Sequence, residues 1–316
     1  MFNLIRNEQM KLFIQKSTWI MLIVLAVLAF FSVLLLKPDE ANKYTDNNWQ
    51  EKLQKENKAY EKDVKNPDFA GDASFIEYKM GQIKTNNYYL KNDIKPLNYG
   101  AWQYVLDAKD FLSMLSLLTI IVAAGIVANE YRWGTIKLLL IRPMTRTKIL
   151  LSKYISVLLF ALISLVLFIV VAWVAGAIFV GVDGLNPKVA IYSDGKVLYE
   201  SIIGIIFKDY GFKLVNLVMM ATFAFAISTL FKNSALSIGI SIFLMMAGSS
   251  IVVFLANKSW AKYILFANTD LTQYTTGVPL FKGTSLGFSI TVLVVYYIVF
   301  LAVSWISFTK RDVAGA

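Results

Sequence analysis

No cysteine and no histidine occur among the 316 residues of the chain. Without cysteine there is no disulfide, no thiolate nucleophile and no cysteine-held metal. Without histidine the commonest zinc ligand and the commonest proton-transfer group near neutral pH are gone. The sequence also has no G-x-x-x-x-G-K-S/T loop to cradle nucleotide phosphates and no H-E-x-x-H zinc motif. The chain is therefore not expected to be an enzyme, to hold a metal or cofactor, or to hydrolyse a nucleotide itself. Gly283-Thr284-Ser285-Leu286-Gly287 has no catalytic partner nearby and reads as an ordinary loop.

What the chain does have is apolar residues, at 57% of its length, with a mean hydropathy of +0.57. Soluble domains hold roughly 45–50%. The excess is concentrated in runs near the roughly 20 residues needed to cross a hydrocarbon core. The predicted fold is an all-α polytopic membrane protein with six transmembrane helices, an N-terminal interfacial helix and an extracellular, mostly helical insertion.

The order along the chain is as follows. Residues 1–17 place Phe2, Ile5, Leu12 and Phe13 on one face, with Arg6 and Lys16 off it, as a helix lying in the membrane interface does. Residues 18–36 form the first span; no A-x-A-like cleavage site follows it, so it reads as retained rather than as a signal peptide. Residues 37–110 are a hydrophilic insertion with 12 lysines, 13 acids and no arginine. Helices are predicted over 48–65 and 75–90, broken by Asn66-Pro67-Asp68 and Ala70-Gly71-Asp72. The second and third spans are 111–129 and 151–180, joined by a loop over 130–150. Residues 181–211 form a polar segment with a predicted hairpin over 189–199 and a short apolar run at 201–207. Spans four and five, 212–231 and 235–256, are separated only by Lys232-Asn233-Ser234. A loop over 257–287, a sixth span at 288–308 and a tail at 309–316 complete the chain.

Charge orients the spans. The segments proposed to lie inside hold all five arginines and 12 basic residues in total, against three acids: Glu8, Glu130 and Asp312. They supply most of the net charge of +10, and the positive-inside tendency then puts both termini in the cytoplasm. The basic excess flanks apolar runs, so it reads as topology and not as nucleic-acid binding. No predicted span carries a charge in its interior, Lys213 lying at an edge. A charge at mid-membrane costs about 2.5–3.5 kcal/mol, so a proton relay is disfavoured. Ser113, Ser116, Thr119, Asn216, Thr222, Ser228 and Thr229 do lie in the spans. With the small-residue pairs Ala124/Ala128, Ala172/Gly176 and Ala224/Ser228, they predict close helix packing.

The most charged loop is the informative one. Residues 130–153 hold Arg132, Lys137, Arg142, Arg146, Lys148 and Lys153 against Glu130 alone. An acid ends span two. Gly134-Thr135, the apolar Leu138, Leu139 and Leu140, then Pro143 and Arg146 follow, and Lys153 leads into span three. This order and spacing resembles the permease subunits of type-2 ABC exporters, and the whole-chain topology supports the likeness. The chain departs from that family's compact pattern in its long 37–110 insertion.

The resemblance implies a transmembrane permease subunit that moves a peptide antibiotic, drug or lipid-like molecule out across the plasma membrane of a bacterium. The energy would come from ATP and Mg²⁺ on a separate cytoplasmic ABC ATPase, present in two copies, beside a second permease subunit, identical or homologous. Membrane lipids are the remaining expected partner, and no nucleic acid is expected. The residues implied in coupling to the ATPase are Glu130, Arg132, Gly134, Thr135, Lys137, Arg142, Pro143 and Arg146. Pro143 cannot continue a helix and sets the turn before span three. The competing expectation is a membrane sensor or immunity subunit whose extracellular domain binds a peptide or cell-wall ligand without transporting it.

Overall fold

The structure is a computed structural model that describes residues 1–36, 43–44, 47–69, 73–136, 144–182, 184–193, 195–275 and 279–310. Expectations at Ala70-Gly71-Asp72, Lys137, Leu138 to Leu140, Arg142, Pro143, Asp194 and the last six residues lie outside these.

Among the described residues, five helical segments are long and apolar enough to cross a membrane: Ala101–Arg132, Arg146–Phe179, Ile202–Phe231, Ser234–Phe254 and Leu286–Lys310. The N-terminal helix α1 (Phe2–Ile14) meets α2 (Lys16–Phe31) at a 73° bend, and a sixth crossing exists only if that pair counts as one span. With 16 residues α2 is about 24 Å long, short of the ~30 Å hydrocarbon core. A break at Ser32 leads to the short α3 (Val33–Leu36). There the Ser32 hydroxyl shares a 2.7 Å hydrogen bond with the Tyr104 hydroxyl.

Three expected boundaries move. The insertion does not run to residue 110: α6 (Ala101–Ala108) leads through a 3-10 turn into α7 (Leu112–Arg132). Ala101, Tyr104, Val105 and Ala108 are fully buried, at helical spacing, against the span helices. Asp107, Lys109 and Asp110 mask that apolar face in the sequence. The third span helix, α8 (Arg146–Phe179), starts five residues before the predicted third span, cutting the loop back to residue 145. The fourth, α9 (Ile202–Phe231), absorbs the apolar run at 201–207 into one continuous helix. Lys208, Asp209 and Lys213 interrupt its hydropathy, but Asp209 is buried and paired with Lys109, which continues the stack below α6. Lys213 pairs with Asp270 at 3.4 Å. Burial raises the Asp270 pKa. The Thr272 hydroxyl and the Lys213 ammonium outweigh that and hold it below the ordinary carboxylate range.

The small-residue spacings do what they predict. Across α7 and α9 the Ser228 hydroxyl donates to the Ala124 carbonyl at 2.6 Å and accepts the Ala128 N–H at 3.1 Å. Gly176 of α8 meets Ala101 so closely that a Cβ added there would lie 2.7 Å from the Ala101 Cα. After α9, Lys232 adopts a left-handed φ of 54° and Asn233 caps α10 (Ser234–Phe254), its side chain accepting the Leu236 N–H at 3.1 Å. The last span helix is α12 (Leu286–Lys310), preceded by the single-turn α11 (Leu265–Asn268).

A polar lobe with its own small core adjoins the span helices: β-structure runs directly into α9, and the Ser193 hydroxyl donates to the Thr275 carbonyl at 2.8 Å. Helices α4 (Trp49–Lys65) and α5 (Ala73–Lys91) pair with each other and with the antiparallel strands β1 (Lys188–Ser193) and β2 (Lys196–Ser201). The predicted hairpin is thus present, and it joins the helical pair about 100 residues upstream. Trp49, Leu53, Tyr89 and Ala190 form the shared core. The buried Ala190 N–H donates to the Tyr89 hydroxyl at 2.7 Å. Tyr89→Phe removes that acceptor, and a buried donor left unpaired costs about 1–3 kcal/mol. Amide hydrogen exchange over 188–201 should accelerate in this variant while the span helices keep their protection. Unchanged exchange in the hairpin would show that the bond does not hold the lobe together.

Candidate functional site

The basic loop leaves the helices through a defined stop. Gly134 takes a φ of +69°, a conformation that costs other L-residues about 1–2 kcal/mol. Its N–H bonds the Tyr131 carbonyl at 3.1 Å, ending α7 as a C-terminal glycine does. Arg132 and Trp133 are exposed on the last turn. Thr135 folds back and its hydroxyl donates to the Glu130 carboxylate. Ile136 is buried in the helical core. On the return side Thr145 caps α8, accepting the Lys148 N–H at 3.4 Å. Arg146 donates to the Thr309 carbonyl at 3.0 Å, and Trp305 to the Thr147 hydroxyl at 3.0 Å, so the start of α8 is tied to the end of α12. Arg146 is thereby engaged within the chain.

Beneath the loop lies an ion cluster. The Lys153 side chain is fully buried, and its Nζ lies 2.8 Å from Glu8 Oε2 and 2.8 Å from Glu130 Oε1. Lys11, partly exposed, approaches Glu130 Oε1 at 3.0 Å and Glu8 Oε1 at 3.3 Å. Two ammonium groups and two carboxylates thus alternate, and their charges cancel. Cancellation matters because an unpaired buried charge is far more costly than a paired, hydrogen-bonded one. The cluster joins three helices: α1 through Glu8 and Lys11, α7 through Glu130, and α8 through Lys153. Gln9 adds a 2.8 Å bond to the Ser156 carbonyl along the same seam.

This corrects the expectation that the span helices carry no interior charge. Lys153 and Asp209 are both inside helices and buried. Each lies toward a helix end: Lys153 is two turns into α8, whose 34 residues extend about 51 Å, well beyond the ~30 Å hydrocarbon core. Of the residues expected to couple, the structure brings Glu130 and Thr135 to the cluster, gives Gly134 a backbone role, leaves Arg132 exposed and ties Arg146 to α12. Lys137, Arg142 and Pro143 fall outside the described residues. Sequence reading missed Glu8 and Lys11 as members. The available signal was an isolated acid in a basic N-terminal segment, three residues from a lysine. Among the described residues no group of three carboxylates forms a metal site.

Residues 73–314 match the family described as "Protein of unknown function (DUF2705)". The chain is 41% identical over its full length, and over the full length of the relative, to "Uncharacterized protein YhcI" of Bacillus subtilis (strain 168). It is 31% identical to "Uncharacterized membrane protein YdbK" of the same organism, over 96% of this chain and 99% of that one. With its apolar helices, the chain is a multi-pass membrane protein.

Proposed function

The chain belongs to the DUF2705 family, and we propose that it is the membrane-spanning permease subunit of an ATP-driven exporter, powered by a separate ATPase. The observation that carries this reading is that the two ends of the 130–153 stretch are bonded to each other. Glu130 and Lys153 meet at 2.8 Å, on the seam where α1 docks. The basic loop between them is therefore a closed excursion on a braced base. A force applied to such a loop displaces α1, α7 and α8 together, because moving one alone would strip a buried charge of its partner. That is the mechanical property a motor-driven subunit needs.

In this reading the loop faces the cytoplasm, where the positive-inside tendency puts it. Lys137 and Arg142 engage acidic groups of the ATPase, two copies of which serve a pair of permease subunits, and the polar lobe stands outside the plasma membrane. Glu130 and Gly134 act by positioning: one anchors the base of the loop and the other ends the helix. The test is co-expression with the soluble ATPases encoded in the same genome, followed by size-exclusion chromatography in detergent. The expected result is a stable complex with one of them, lost when Lys137 and Arg142 are reversed to glutamate. Migration alone with every ATPase tested would refute the reading.

The second reading, a sensor or immunity subunit, is favoured by one feature, the separate core of the polar lobe. A chain lacking residues 49–91 that still engages an ATPase, yet no longer responds to an external peptide, would favour it. Such a deletion must stop before Ala101, whose buried contacts belong to the span helices.

A further inference from the structure

Beside the ion cluster a cavity of about 760 Å³ opens between the α1–α2 elbow, α7 and the start of α10. Its lining is mixed. Leu12, Met21, Ile121, Val122 and Ile238 are apolar. Thr18, Asn129 and Arg132 add polar groups. The Thr18 hydroxyl is buried and has no hydrogen-bond partner among the described residues. Arg132 is exposed and forms no ion pair among the described residues. The floor contributes nothing to the net charge, because Glu8, Lys11, Glu130 and Lys153 neutralise one another. The lining therefore holds three cations against two anions, and the surplus positive charge sits on Arg132. Trp133, 58% exposed, also lines the cavity.

We propose that this cavity binds an anionic phospholipid, its headgroup phosphate on Arg132 and the upper part of an acyl chain against the apolar lining residues. A planar guanidinium offers a phosphate two parallel N–H donors. The volume falls within the roughly 300–1,000 Å³ of small-molecule sites, enough for a headgroup and the first part of a chain. A soluble anion would leave the apolar lining bare, a lipid without a phosphate would leave Arg132 without its counter-charge, and a zwitterionic lipid would bring a further cation to a lining that is already one charge positive. The site does not depend on the permease reading, since a lipid can brace this elbow in a chain that transports nothing.

The experiment is native mass spectrometry of the delipidated full-length protein, titrated with phosphatidylglycerol or phosphatidylcholine of the same acyl chains. One phosphatidylglycerol should bind about tenfold more tightly than phosphatidylcholine, because the two share the phosphate and only the choline ammonium meets the surplus positive charge of the lining. Arg132→Gln should abolish that preference. Ile121→Trp, which puts a larger side chain into the lining, should weaken the binding of phosphatidylglycerol itself. Equal binding of the two lipids by the wild-type protein would overturn the proposal, as would a preference that survives Arg132→Gln. Unaltered binding in Ile121→Trp would place the lipid elsewhere. Displacement by inorganic phosphate at concentrations matching the lipid's would show a simple anion site and equally overturn it.

Discussion

Lys153→Met is expected to cost about 3–5 kcal/mol of stability, the range found when one partner of a buried ion pair is removed. Methionine matches lysine closely in length, so packing is nearly conserved and the loss is electrostatic. Glu8 and Glu130 would face each other with only Lys11 to balance them. Lys11 is partly exposed and reaches a single oxygen of each. Thermal unfolding of the purified protein in one detergent is the direct measurement. A change below about 1 kcal/mol would mean that water or Lys11 replaces the missing charge and that the cluster does not brace the three helices. The triple variant Glu8→Leu, Glu130→Met, Lys153→Met separates charge from packing. Apolar replacement of the buried members of an ion cluster is often neutral or stabilising, and Lys11, partly exposed, can turn to solvent, so this variant should recover most of the loss.

Gly176→Leu has the second largest expected effect. The obstacle is backbone: a Cβ at this position lies 2.7 Å from the Ala101 Cα and 3.2 Å from the Tyr104 ring. A side chain can rotate away, whereas α6 can only shift as a body. That shift would break the Ala101 N–H bond to the Gly181 carbonyl at 2.9 Å. It would also lift Tyr104 from Ala29, whose carbonyl its hydroxyl bonds. Overpacking of this kind costs about 1–3 kcal/mol. Gly211→Ala is the matched control. It lies within α9 with nothing within 4 Å of an added Cβ, so it should be neutral or stabilising by up to about 1 kcal/mol. Equal unfolding temperatures for the two variants would show that α6 is not clamped to α8.

The parts of this fold that were legible in the sequence are those written locally. Apolar runs revealed the span helices, Lys232-Asn233-Ser234 the turn between α9 and α10, and Val189 to Tyr199 the hairpin. What failed was local reading of charge. Lys109 and Asp209 each argued that a span had ended, yet they neutralise one another 100 residues apart and let both helices continue. Lys153 looked like one more topology-setting cation. Its partners lie 23 and 145 residues away, beyond any spacing rule. The same limit hid the joint core of α4, α5 and the hairpin. Within the candidate site, Gly134 entered only through the resemblance, as a coupling residue, although its role of ending a helix has a local cause. Glu130 stood out as the single acid of a basic stretch, but its task was invisible until Glu8, Lys11 and Lys153 were placed around it.

The most direct test of the permease reading is the ATP turnover of the partner ATPase, measured with this chain reconstituted beside it in lipid nanodiscs. Wild-type protein should raise turnover above that of the free ATPase, and Arg142→Glu should return it to the free rate while the chain stays folded and inserted. Turnover indifferent to the wild-type chain, or equally stimulated by Arg142→Glu, would contradict the proposal that the loop beneath which Glu8, Lys11, Glu130 and Lys153 gather is where energy enters.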